Sequence, residues 1–102
     1  MLTFPQLRDQ NVLRTQREFH PVDDWSPTGW ASAAAGELRE ACNLIKKLRR
    51  GEPIPLRDIA DEIADTVIYL DLLAARLGID LDKAITEKFN RTSDNLGSKV
   101  KL

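Results

Sequence analysis

Apolar residues recur every three or four positions along most of this chain, and nowhere do they alternate long enough to build a strand. That period predicts an all-α chain. Thr3 can cap a first helix running to about Phe19, with Pro5 tolerated in its first turn. HPVDDWSPTGW, residues 20–30, reads as a loop, inside which Ser26 and Pro27 make an N-cap and N1 pair for the next helix. This second helix runs to Arg50 and stops at Gly51. EPIPLRD, residues 52–58, holds two prolines and reads as a connection. A third helix spans about Leu56 to Leu77 and ends at Gly78. Asp80 caps a fourth, with Ile79 placed as a hydrophobic staple, through about Thr92. The tail SDNLGSKVKL is expected to leave the domain, either loosely ordered or packed on a partner.

The helical period also assigns faces. In the third helix Ile59, Ile63, Val67, Leu70 and Ala74 form one apolar face, while Ala64, Ile68 and Leu72 form a second. A helix apolar nearly all round belongs at the centre of a fold. Glu62, Asp65 and Tyr69 occupy the strip between the two faces. In the second helix Glu37, Glu40 and Leu44 fall within a sector of roughly 60°, beside Ala33, Ala41 and Leu48. Arg39, Lys46 and Arg50 take the opposite, solvated side. Two pairs of carboxylates, each spaced i, i+3, thus border the apolar parts of two helices.

Composition narrows the setting. At 102 residues the chain makes one domain, residues 1–102. A domain of this size buries only somewhat more than ~60% of its unfolded surface, so association with a second copy would help it. Hydrophobic residues at 42% and charged residues at 30% mark a globular chain rather than a disordered one. A net charge of −1 supplies no general field for nucleic acid or an anionic membrane, so neither is expected as a partner. Lys46, Lys47, Arg49 and Arg50 are the local exception, and they suit the negative end of a helix dipole. A single cysteine, Cys42, excludes an intrachain disulfide and fits a reducing compartment. No run approaches the ~18 apolar residues of a membrane span, and MLTFPQLRDQ lacks the pattern of a signal peptide. The expected location is the cytoplasm.

Carboxylates beside an apolar stripe need a positive partner, because an unpaired one tends to protonate there. Two partners are available. Salt bridges to Lys47, Lys88 or Arg91 are one; a hard divalent cation held by convergent carboxylate oxygens is the other. The i, i+3 spacing stacks two carboxylates on one helix face, so each pair can clamp an ion. Redox iron in a helical bundle wants Glu-x-x-His motifs, and the only histidine, His20, lies far from both pairs. Mg²⁺, or Mn²⁺, is therefore the favoured metal, with phosphates as its usual clients.

Glu37-x-x-Glu40 followed by Glu62-x-x-Asp65 resembles the signature of the all-α nucleoside triphosphate pyrophosphohydrolases, the MazG-like superfamily. AAAGELREACNLIKK is similar to that family's first acidic helix, and IADEIADTVIYLDLLAARLGIDL to its second acidic helix and following turn. EKFNR, residues 87–91, resembles the start of its last segment. The likeness covers roughly residues 17–95.

The resemblance implies a four-helix MazG-like bundle assembled as a homodimer or homotetramer, with sites at or near subunit interfaces. It also implies Mg²⁺-dependent hydrolysis of a nucleoside triphosphate, usually a deoxynucleotide, to monophosphate and pyrophosphate. Glu37, Glu40, Glu62 and Asp65 match the metal ligands, Glu37 being slightly favoured to orient or deprotonate the water. Tyr69 matches a tyrosine that touches sugar or phosphate; alternatively it is a core residue with its hydroxyl at the surface. Lys88, Asn90 and Arg91 match a phosphate-holding segment, although KFNRTSDNLG lacks the family's further basic residues and Tyr-Pro. Lys47 either reaches a phosphate or is an ordinary surface lysine. Trp25, in the loop, and Trp30 flank the start of the second helix, where the family uses aromatics to stack a base, and either could instead be core. Trp25 is favoured for substrate contact. Trp30 shares the inner face with Ala33, Ala34 and Leu48 and is favoured for the core, with the base contact as its alternative. His20 matches a position near the nucleotide, and Asn43 is placed to orient a ligand or is simply polar. A phosphoribosyl-ATP pyrophosphatase or a dUTP-specific enzyme stays open within the superfamily. A non-catalytic helical module is the rival outside it.

Overall fold

Every helix of the computed structural model, which describes all 102 residues, starts or stops on side-chain chemistry visible in the sequence. The four helices are α1 (Phe4–Glu18), α2 (Pro27–Arg49), α3 (Leu56–Arg76) and α4 (Leu81–Asn95), with a 3-10 turn at Val22–Asp24 between the first two. Thr3 and Gln6 close a capping box on α1: Gln6 N donates to Thr3 Oγ1 and Thr3 N to Gln6 Oε1. Ser26 and Asp80 accept from Gly29 N and Lys83 N at the starts of α2 and α4. Gly51, Gly78 and Gly97 have φ of 90°, 70° and 69°, the left-handed conformation that ends α2, α3 and α4. Each of these ends is closed by the amide after the glycine bonding back, Glu52 N to Lys47 O, Ile79 N to Ala74 O and Ser98 N to Ser93 O.

α4 therefore runs to Asn95, past the end anticipated at Thr92. Ser93, Asp94 and Asn95 are weak helix formers, but the bonds around Gly97 hold them in the last turn. Beyond Gly97 the tail folds back on α4. Leu102 N donates to Asn90 Oδ1 (2.8 Å), Asn90 Nδ2 donates to Leu102 O, and Lys101 pairs with Asp94.

α2 and α3 share the most extensive helix–helix contact, and α1 packs on α3, so the apolar third helix is indeed central. The core is thin: Trp30, Ala34 and Ala41 from α2 meet Ile59, Leu72 and Ala74 from α3. Leu48 and Glu40 on α2 are exposed, as are Ile63, Val67 and Leu70 on α3, so only part of each expected inner face is covered. α4 meets the other helices chiefly through α1. The four helices consequently do not close into a compact bundle within one chain. The radius of gyration is 16.1 Å, against about 13 Å for a compact domain of this length. The accessible surface is 7537 Å², roughly 1,700 Å² more than a compact monomer of this mass exposes. No helix is long and apolar enough to cross a membrane.

A buried ion pair ties α1 to α3. Asp71 is fully buried in the apolar C-terminal part of α3, and Arg8 Nε donates to its Oδ1 at 3.0 Å. Arg8 also donates to Ile79 O (2.9 Å), linking the same two helices to the turn before α4.

Candidate functional site

α2 and α3 bring their acidic pairs face to face. Oxygen atoms of Glu37, Glu62 and Asp65 all lie within 4.8 Å of one another. Glu37 and Glu62 are half-buried and Asp65 is exposed. Glu40, one turn on from Glu37, stands exposed beside this group rather than in it. Its charge still acts on Glu62. The Glu62 carboxyl is raised from 4.5 to about 7, first by a hydrogen bond shared with Glu37, then by burial, then by the charges of Glu37, Asp65 and Glu40. Glu62 Oε2 is shut off from solvent and no protein donor satisfies it.

Salt bridges do not provide the remedy. All five ion pairs of the chain lie elsewhere, and none involves Glu37, Glu40, Glu62 or Asp65. Lys47, Lys88 and Arg91 leave the acids unpaired. A convergent, all-oxygen set carrying excess negative charge, one oxygen of it buried without a partner, fits a hard divalent cation.

A cavity of about 530 Å³ opens beside these acids, and Asp65 belongs to both. Its walls come from α1, the loop, the first turn of α2 and α3. Trp25, Trp30, His20 and Tyr69 form an aromatic side. Ring centroids are 4.6 Å apart for Trp25 and Trp30, 4.8 Å for His20 and Trp25, and 6.3 Å for Trp30 and Tyr69. Sandwiching a base between two rings needs roughly 7 Å, two contact distances of ~3.5 Å. Trp25 and Trp30 therefore leave no room for a further planar ring between them.

The loop is held in place by backbone carbonyls. Trp30 Nε1 donates to Val22 O and Arg76 Nε donates to Trp25 O, both at 2.9 Å. The Trp25 side chain lies against the first turn of α2 at Gly29. Trp30 is 2% exposed, yet it also lines the cavity, so the alternatives of core and wall are both realised in one residue. Trp25 is 41% exposed.

The remaining candidates stand apart. Lys47, Lys88, Asn90 and Arg91 do not line this cavity. Lys88 borders a separate apolar groove on α4, and the Asn90 side chain is bonded to Leu102. Asn43 is exposed on α2. In their place α1 contributes Asn11, Arg14 and Thr15, with Arg14 the one guanidinium on the wall. The sequence does not single these out, because nothing in the period of α1 says which face a cavity will meet. Asp71 did carry a signal, a charged residue between Leu70 and Leu72, but its partner Arg8 lies 63 positions away.

The family model described as MazG-like matches residues 42–100, a stretch holding Glu62 and Asp65 but beginning after Glu37 and Glu40. Among curated proteins, dCTP pyrophosphatase 1 of Homo sapiens is 30% identical over 97 positions, covering 84% of this chain and 57% of that protein. The proteins of the same name from Rattus norvegicus and Mus musculus are each 29% identical with the same coverage. The chain thus spans rather more than half the length of the curated relatives it matches. No solved structure gives a significant match. With the family model covering more than half of its residues, the chain belongs to the MazG-like family.

Proposed function

We propose that this chain is a divalent-metal-dependent nucleoside triphosphate pyrophosphohydrolase, releasing a monophosphate and pyrophosphate, with dCTP as the first candidate substrate. One observation carries the reading: Asp65 is shared by the carboxylate cluster and the aromatic cavity. A nucleotide whose base rests on the aromatic wall extends its phosphates toward the acids. The names of the curated relatives supply the cytosine.

Glu37, Glu40, Glu62 and Asp65 would hold Mg²⁺ or Mn²⁺, which supplies charge neutralisation at the phosphates and a more acidic water. The chain's own residues bind and orient. His20, Trp25 and Tyr69 receive base and sugar, and Arg14 stands on the wall as a donor for phosphate oxygens. The reaction adds a water oxygen to the α-phosphorus and breaks its bond to the bridging oxygen, so pyrophosphate leaves. The proton lost by that water goes to a carboxylate of the cluster, which we assign to Glu37.

Assembly belongs to the same reading. The excess surface of roughly 1,700 Å² and the uncovered Ile63, Val67 and Leu70 suit a homodimer or homotetramer burying a divided core. A second copy would also offer its own Lys88 and Arg91 to a site that lacks them.

Pyrophosphate release from a panel of nucleoside triphosphates, with and without Mg²⁺ or Mn²⁺, tests the proposal. Metal-dependent release from dCTP is the expected result. No release from any triphosphate with either metal would overturn it in favour of a non-catalytic helical module.

A further inference from the structure

Asn11, one of the α1 residues on the cavity wall, has a polar atom that the fold leaves without a partner. Asn11 is 3% exposed, and its amide nitrogen is fully engaged, donating to Ile68 O at 2.9 Å and to Asp71 Oδ2 at 3.1 Å. Its Oδ1 is buried and makes no hydrogen bond. Native folds seldom leave such an acceptor unmatched. Asn11 lines the same cavity as Trp25, Trp30 and Tyr69, with Thr15 one turn further along α1.

An asparagine amide can ordinarily turn over and present either oxygen or nitrogen. Here it cannot. Turning it would set Oδ1 against the Ile68 carbonyl and the Asp71 carboxylate, acceptor facing acceptor. Asp71 is itself held by Arg8, so the arrangement cannot relax around a turned amide. The side chain is therefore locked as an acceptor.

We propose that Asn11 Oδ1 accepts a hydrogen bond from the exocyclic amino group of the substrate base, selecting 4-aminopyrimidines over their 4-oxo counterparts. This rests on the nucleotide hydrolysis proposed above. A base lying flat on the aromatic wall directs its edge in the plane of the ring, and α1 contributes Asn11, Arg14 and Thr15 to the same cavity. The amino group of cytosine gives Oδ1 its missing donor, and the Thr15 hydroxyl can donate to the adjacent ring nitrogen. The 4-oxo group of uracil or thymine would instead meet a locked acceptor. Uracil could offer its N3–H only by sliding along the wall by one atom position, which displaces its phosphates from the acids.

The test uses calorimetric binding of three non-hydrolysable α,β-methylene deoxynucleoside triphosphates in Mg²⁺: cytosine, its 4-deamino analogue pyrimidin-2-one, and uracil. The unaltered protein is expected to bind the cytosine nucleotide about tenfold or more tighter than either of the others. In Asn11→Ala the three affinities should converge to within about threefold. A structural defect alone would weaken all three alike and preserve their ratio. Equal binding of the amino and deamino nucleotides by the unaltered protein overturns the inference, as does a preference retained in Asn11→Ala. If that variant fails to fold, the comparison on the unaltered protein decides. Pyrophosphate release with equal binding sinks this inference alone, whereas no release and no binding of any nucleotide sinks the proposed function with it.

Discussion

Removing Arg8 should cost this fold more than any other single surface-reaching side chain of α1. Arg8→Met keeps most of the aliphatic stem but takes away the Nε bond to Asp71 (3.0 Å) and the bond to Ile79 O (2.9 Å). The Asp71 carboxylate would then sit fully buried with only the Asn11 amide to satisfy it. Breaking a buried pair this way typically costs about 3–5 kcal/mol, because an uncompensated charge stays behind. Arg8 is a quarter exposed, at 25%, so water can enter where the guanidinium was. That reduces the expected loss to about 2–3 kcal/mol. For a domain of this size the melting temperature should fall by roughly 10–20 °C. Replacing both partners, as in Arg8→Met with Asp71→Leu, removes the stranded charge and should recover much of the loss. Thermal unfolding followed by circular dichroism, at one fixed protein concentration, measures Arg8→Met, Asp71→Leu and the double variant. A loss below about 0.5 kcal/mol for Arg8→Met, or a double variant as unstable as the sum of the singles, would refute this account of the pair.

Glu62→Gln should abolish metal-dependent pyrophosphate release while raising the melting temperature of the metal-free protein at pH 8, since it removes one of several crowded charges; full turnover at saturating Mg²⁺ would reject the ligand assignment. The pKa of Glu62 rises on folding, from 4.5 to about 7, so its contribution to metal-free stability is complete below about pH 4.5 and is lost as pH climbs through 7. Mg²⁺ needs the ionised form, so its affinity should strengthen between pH 6 and 8 with release of a proton, and a flat calorimetric profile would contradict this. Trp25→Ala should raise KM with little change in kcat, by an amount worth roughly 1–3 kcal/mol of stacking, whereas Trp30→Ala should lower the melting temperature through the loss of a buried ring worth about 3–5 kcal/mol; kinetics and melts of the two variants showing the reverse pattern would exchange their roles. Sedimentation at micromolar concentration should show a dimer or larger species, and Val67→Glu on the uncovered face of α3 should shift it toward monomer; a stable monomer of the unaltered chain would remove the argument from exposed apolar surface.

The sequence by itself determined what local chemistry governs. Helix starts at Thr3, Ser26 and Asp80 were legible because an N-cap acts on amides only two or three residues away. Stops at Gly51 and Gly78 were legible because only glycine adopts their positive φ without strain. The third such stop, Gly97, is hidden in the sequence, since the polar run before it reads as the end of the helix. The acidic pairs were legible because i, i+3 spacing is a property of one helix, and the order of the two pairs carried the family resemblance.

What only the tertiary structure decided depends on which helix meets which. It separated Glu40 from the converging Glu37, Glu62 and Asp65, because helix packing rather than spacing determines which oxygens meet. It made Trp30 both core and cavity wall, and brought Asn11, Arg14 and Thr15 to a site that their own helix does not announce. It turned the tail back onto Asn90 and left Lys88 and Arg91 of α4 away from the acids. Such contacts join residues tens of positions apart, as Arg8 and Asp71 show, and a helical period carries no information about partners at that distance.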